Sequence, residues 1–169
     1  NVTAKRKNLQ EDQMFTVAEI IELAIRIEKN GEKTYRKALE KVSDISMVTL
    51  LQQLADEEVE HAKWFAELKE KVGAITNDPE LEAMGGTILK SVLGEKAFSI
   101  TDADFSRMED RRKLLETALE FEEDTILFYE LLGTFMGDEE SLQGLQRIIE
   151  EERRHVRKLK ESLEDADER

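Results

Sequence analysis

Only two histidines occur in this chain of 169 residues, and both close the same four-residue pattern, Glu58-Val59-Glu60-His61 and Glu152-Arg153-Arg154-His155. A further glutamate stands 30 positions before each pattern, Glu28 before Glu58 and Glu122 before Glu152. The two sets are offset by 94 positions, from Glu28 to Glu122, from Glu58 to Glu152 and from His61 to His155. Their surroundings keep that register. Glu22-Leu-Ala-Ile-Arg-Ile-Glu28 aligns with Glu116-Thr-Ala-Leu-Glu-Phe-Glu122, Tyr35 with Tyr129, and Leu54-Ala-Asp-Glu-Glu58 with Ile148-Ile-Glu-Glu-Glu152.

Apolar residues recur at three- and four-residue steps around each motif, the signature of amphipathic helices. A first helix is expected from Thr16 to about Val42, with Ser43 and Asp44 breaking it and either able to cap the next. A second spans about 46 to 72 and ends at Gly73. The stretch from about 80 to 102 contains Gly85, Gly86 and Gly94 and reads as a long crossover with one or two short helical turns. A third helix is expected from about Asp104 to Phe135 with a break at Gly137-Asp138, and a fourth from about 139 to 163. Two helix pairs joined by one long connection form a four-helix bundle over residues 15–165, preceded by a polar tail over 1–14.

Acidic residues crowd the motifs, so helical facing has to select among them. Glu58 has Leu54, Ala55, His61 and Ala62 as its helical neighbours, and Glu152 has Ile148, Ile149, His155 and Val156. Glu28 follows Ile21, Ala24 and Ile25, while Glu122 follows Leu115, Ala118 and Leu119. On the same criterion Glu57 sits at the edge of its stripe and Glu151 leans toward solvent. One glutamate therefore interrupts each of four apolar stripes. Burying ionised carboxylates without partners is very costly, and clustered carboxylates repel one another. A pair of divalent cations relieves both costs, and four glutamates with two i, i+3 histidines are the ligand set of a dinuclear site in a helical bundle. Ordinary half-buried histidines and solvated glutamates are the competing reading, and the doubled register argues against it. One imidazole per metal among oxygen ligands suits iron or manganese better than tetrahedral zinc.

Other residues stay open at this stage. Tyr35 and Tyr129 follow Glu28 and Glu122 by two turns, fitting either a hydrogen bond to a ligand or plain core packing. Glu32 lies one turn beyond Glu28, but its counterpart is Ile126. Phe65 reads as core, and Trp64 as core edge or interface.

A net charge of −14 argues against nucleic acid or an anionic membrane surface as partner. No apolar run approaches the roughly 20 residues needed to cross a bilayer, and no signal-peptide pattern opens the sequence. The absence of cysteine fits a reducing cytoplasm and excludes disulfides, thiolate metal sites and cysteine-ligated iron centres among these residues.

The segments Leu54-Ala-Asp-Glu-Glu58-Val-Glu-His61-Ala-Lys-Trp-Phe65 and Ile27-Glu28 through Tyr35-Arg36 resemble the rubrerythrin branch of the ferritin-like superfamily, over roughly residues 16–163. The resemblance implies an all-α, ferritin-like four-helix bundle whose long crossover joins helices 2 and 3. It implies that Glu28, Glu58, His61, Glu122, Glu152 and His155 bind two iron ions, with manganese or zinc as alternative occupants. Glu58 and Glu152 would bridge the metals, and Glu28 and Glu122 would be terminal ligands. The implied activity is reduction of hydrogen peroxide or dioxygen, with electrons from a separate donor protein and a homodimer as the expected assembly. Two departures bear on it. Typical rubrerythrins carry an extra carboxylate where this chain has Thr125, and a cysteine-ligated rubredoxin domain. A ferroxidase or iron storage and delivery protein is the alternative, and a bundle acting only as an interaction module is a third.

Overall fold

The structure is a computed structural model and describes residues 16–73 and 110–167. These form four α-helices: α1 (Val17–Leu39), α2 (Ile45–Gly73), α3 (Arg111–Gly133) and α4 (Glu139–Asp167). Helices 2 and 4 match the sequence expectation closely at their starts. Helix α1 stops short of Val42, because the Glu40 and Lys41 amides bond back only three residues, at 3.3 and 3.0 Å, and tighten the last turn. Helix α3 likewise stops at Gly133 rather than Phe135, with three-residue bonds from Thr134, Phe135 and Met136 at 3.0, 3.0 and 3.2 Å. The expected tail and the turns expected within 80–102 lie outside the described residues.

Short polar side chains set the helix starts by accepting otherwise unpaired amides. Thr16 and Glu19 form a reciprocal capping box, with bonds of 2.7 and 3.1 Å. Asp110 accepts from the Arg112 amide at 2.9 Å. Of the two residues able to cap α2, Asp44 does so, accepting from Met47 at 3.0 Å, and Asp138 caps α4 through Ser141 at 2.8 Å. Each cap and each helix boundary in one half recurs 94 residues later in the other. The repeat that looks patchy in sequence is complete in secondary structure.

Helix α1 packs mainly on α2 and α3 mainly on α4, as hairpins joined by the short loops 40–44 and 134–138. Arg111 at the start of α3 lies 3.8 Å from Asp44 at the start of α2. At the opposite end, Lys71 of α2 meets Glu140 and Asp138 at the start of α4, at 2.8 and 3.3 Å. Helices α2 and α3 therefore run parallel, and the end of α2 and the start of α3 lie at opposite ends of the bundle. That is the long crossover topology expected from the helix pattern.

The apolar stripes meet in one core that includes Ile20, Ile21, Leu51, Leu54, Phe65, Leu115, Phe128 and Leu132, all fully buried. Replacing Leu51 by alanine should cost about 2–5 kcal/mol of unfolding free energy through lost burial and a residual cavity. The same change at Leu127, which is 55% exposed, should stay within about 0.5 kcal/mol. Chemical denaturation of the two variants checks the assignment of inside and outside.

Candidate metal centre

All six residues selected by helical facing converge in the middle of the bundle: Glu28, Glu58, His61, Glu122, Glu152 and His155 are each at most 3% exposed. Their donor atoms form two overlapping quartets, each mutually within 4.8 Å and each able to hold an ion. Glu28, Glu58, His61 and Glu152 make one, and Glu58, Glu122, Glu152 and His155 the other. Glu58 and Glu152 belong to both. The two oxygens of Glu152 lie 2.9 Å from His61 Nδ1 and 2.8 Å from His155 Nδ1, so this carboxylate spans the two half-sites. Glu58 spans them more loosely, at 4.0 and 3.6 Å from the same nitrogens.

The orientation of these atoms tests whether cations fit. Several pairs are close enough for hydrogen bonds but are not aligned for them. Glu28 Oε2, Glu58 Oε1, Glu122 Oε2, both oxygens of Glu152 and the Nδ1 atoms of both histidines are buried with no hydrogen-bond partner. Unpaired buried polar atoms are rare, and each calls for an explanation. Here they share one: lone pairs from separate helices point at common centres rather than at one another. The donor set fits a pair of divalent cations.

The atoms facing away from the centre are all engaged. His61 Nε2 lies 2.8 Å from Glu151, and His155 Nε2 lies 2.6 Å from Glu57, each pairing crossing between α2 and α4. A carboxylate accepting from Nε2–H fixes the tautomer that leaves the Nδ1 lone pair facing inward. The Tyr35 hydroxyl donates to Glu122 Oε1, and the Tyr129 hydroxyl to Glu28 Oε1. Each tyrosine thus serves the glutamate of the opposite half and leaves that carboxylate's other oxygen for the centre. Of the two roles open to the tyrosines, the hydrogen bond to a cluster glutamate is the one found.

Two neighbours bring no ligand atom. Glu32 pairs with Arg36 at 2.9 Å and lies in neither quartet. Thr125 turns its hydroxyl back to the Phe121 carbonyl at 2.8 Å. Its counterpart Gly31 has a different reason for its identity. A Cβ there would sit 3.3 Å from both Glu58 Cδ and Phe121 Cε1, so a larger residue would press on the spanning carboxylate.

Facing along single helices placed Glu57 at the edge of its stripe and Glu151 toward solvent, and gave neither a role at the cluster. Both are partly exposed, yet each reaches across a helix interface to a histidine. The available signal was their register, since they precede Glu58 and Glu152 and share the 94-residue offset. A cleft of about 780 Å³ opens beside them, its lining including His61, Gln53, Asp56, Glu57, Glu151 and Arg154.

As protein groups alone, the cluster balances charge with protons. Burial, then the neighbouring Glu28 and Glu152 charges, pushes Glu58 well above the carboxylate range. Burial, then Glu152, pushes Glu122 up to about 7. Burial opposes the charge on His61, but Glu28 and Glu152 outweigh it and raise the imidazole to about 11. Burial also disfavours the charge on Glu152, yet the imidazoles of His155 and His61 hold it below its ordinary range. The bond to His155 brings Glu57 down to about 2.

The profile of the family described as rubrerythrin matches residues 19–163. The chain belongs to the rubrerythrin family. No curated protein matches this rubrerythrin-family chain at a significant level. A solved structure from Thermotoga maritima, provisionally assigned as a ferritin-like diiron-carboxylate protein, superposes with a TM-score of 0.66 at 22% identity. The match covers 90% of this chain and 97% of that one, and establishes the shared ferritin-like fold.

Cation binding has to displace the protons held on His61, Glu58 and Glu122. Groups with raised pKa values are protonated in the free protein and deprotonated when ligating, so binding releases protons and strengthens with pH. Titration with manganese(II), in buffers of differing ionisation enthalpy, should show net proton release, with apparent affinity rising as pH approaches about 7, where Glu122 loses its proton, and continuing to rise above it while His61 stays protonated. Uptake of protons, or none exchanged, would contradict the assignment. E57Q and E151Q should each weaken binding by about 10- to 100-fold, the usual cost of losing a carboxylate behind a ligating histidine.

Proposed function

We propose that this rubrerythrin-family chain is a di-iron oxidoreductase that reduces hydrogen peroxide or dioxygen. Glu28, Glu58 and His61 with Glu152 would hold one iron, and Glu122, Glu152 and His155 with Glu58 the other. The observation that carries the reading is the sharing of Glu58 and Glu152 between two buried quartets whose inward atoms lack partners. Oxygen-rich ligation with one imidazole per metal favours iron or manganese over zinc. Two such ions, when bound, supply Lewis acidity and two electrons to an O–O bond.

The chain's own residues prepare the site for this. Tyr35 and Tyr129 each hold one oxygen of a glutamate, which fixes its carboxylate plane and directs the second oxygen inward. Glu57 and Glu151 set the histidine tautomers from the solvent side. Gly31 adds no side chain of its own against the Glu58 carboxylate. The cluster lies within a buried apolar core that includes Ile21, Leu54, Ala55, Leu115 and Ala118, and the cleft at His61 would give a small oxidant an approach from solvent. The 169 residues contain no cysteine to ligate an iron centre, so reducing equivalents would reach the site from a donor outside them.

Protein loaded with ferrous iron under anaerobic conditions should bind two irons per chain. Stopped-flow mixing with peroxide should oxidise that iron much faster than ferrous iron in buffer. E58Q and E152Q should each lower the bound iron and abolish the fast phase. Oxidation no faster than in buffer, at full iron content, would refute the peroxide reading.

A further inference from the structure

The two halves of the bundle match at every cluster residue but differ one turn beyond the histidines. Trp64 and Phe65 follow His61, whereas the corresponding positions after His155 hold Lys158 and Leu159. The aromatic pair continues a chain of contacts that runs inward. The Trp64 and Phe65 rings meet edge to face with centroids 5.1 Å apart, and Phe65 meets Tyr129 at 4.8 Å. Both spacings fall in the range of favourable ring packing. Tyr129 then donates its hydroxyl to Glu28. The chain therefore ends on a carboxylate of the proposed iron site.

Its outer end is accessible. Trp64 is partly buried and lines a small surface cleft of about 170 Å³ with Lys71, Glu140, Ser141 and Arg147 among its other walls. The indole is held there by close approach to the facing helix. A Cβ at Gly144 would lie 2.4 Å from Trp64 Cζ2 and 2.9 Å from Cε2, so only glycine leaves room for this ring. The sequence thus gives up helix propensity in α4 to seat an aromatic ring at the start of the path.

We infer that Trp64 is an electron port, the place where a one-electron carrier delivers reducing equivalents that reach the metal centre through Phe65, Tyr129 and Glu28. This rests on the di-iron reading above and adds where its electrons enter. Electronic coupling falls steeply across gaps between non-bonded atoms, and packed π-systems closing on a ligand hydrogen bond shorten those gaps. The step is a single transfer: the carrier loses one electron, one ferric ion gains it, no covalent bond changes, and Tyr129 keeps its proton. The equivalent positions of the other half hold Lys158 and Leu159, not an aromatic pair.

A chain without cysteine allows a clean test, because E67C places one thiol three residues from Trp64 on an exposed turn. A thiol-reactive ruthenium photoreductant attached there, in protein loaded with ferric iron, delivers one electron per flash. Loss of ferric absorbance times its arrival. Arrival should slow by roughly an order of magnitude when W64L or F65L is added, and W64F should recover most of the rate. Equal rates in all variants at equal iron content would overturn the port while leaving the di-iron reading intact. Protein that binds no iron would remove that reading and the port with it. A second readout needs no metal: G144A must displace the only tryptophan, shifting its emission to longer wavelength, and it should slow arrival as W64L does. Unshifted emission would also overturn the path, because the indole would not depend on that seat.

Discussion

The fold is organised around an electrostatic demand placed where a bundle normally keeps only hydrocarbon. Four carboxylates and two imidazoles occupy the centre of the core, and none is more than 3% exposed. An isolated buried charge carries a penalty of several kcal/mol, and like charges in contact add to it. The helices alone do not satisfy it, because the inward atoms aim at shared points instead of one another. The aligned hydrogen bonds they do make are on the outward side, with Tyr35, Tyr129, Glu57 and Glu151. An arrangement that holds ligands firmly from behind and leaves their front unpaired is organised for cations, at the expense of the chain's own stability.

The demand also accounts for the symmetry. A pair of equivalent half-sites needs two copies of one hairpin, each contributing a lone glutamate and a glutamate–histidine pair. The copies must face each other about the shared carboxylates Glu58 and Glu152. Parallel α2 and α3, joined across the length of the bundle, are what this requires of the chain. The aspartates at 44 and 138, equal five-residue loops and matched helix bounds follow the same offset as the cluster itself.

Legibility in the sequence follows how local each feature is. The cluster glutamates were readable because each interrupts an apolar stripe within its own helix, and the histidines because there are only two. The start of α3 could have been read from the offset alone, since Thr16 and Asp110 are equivalent caps, whereas the stripe pattern carried the expected start back to Asp104. Glu57 and Glu151 were not legible from a single helix. Their role exists only where α2 and α4 approach, and a helical wheel contains no information about the facing helix. The crosswise service of Tyr35 to Glu122 and Tyr129 to Glu28 has the same cause: the spacing fixed the face, while bundle geometry decided which glutamate lay opposite.

Where the halves depart from symmetry, they do so outside the ligands, and the departures have separate physical causes. Gly31 gives clearance to Glu58, while its counterpart Thr125 satisfies its own hydroxyl within α3 and fills volume. Trp64 and Phe65 build a ring path in one half, while Lys158 and Leu159 give the other a cation near Glu57 and an aliphatic core residue. Two equivalent half-sites need equivalent ligands, but nothing requires their surroundings to be equivalent. The ligand set is therefore where the repeat must be strict, and the layer around it is where one duplicated hairpin could diverge from the other without disturbing the centre.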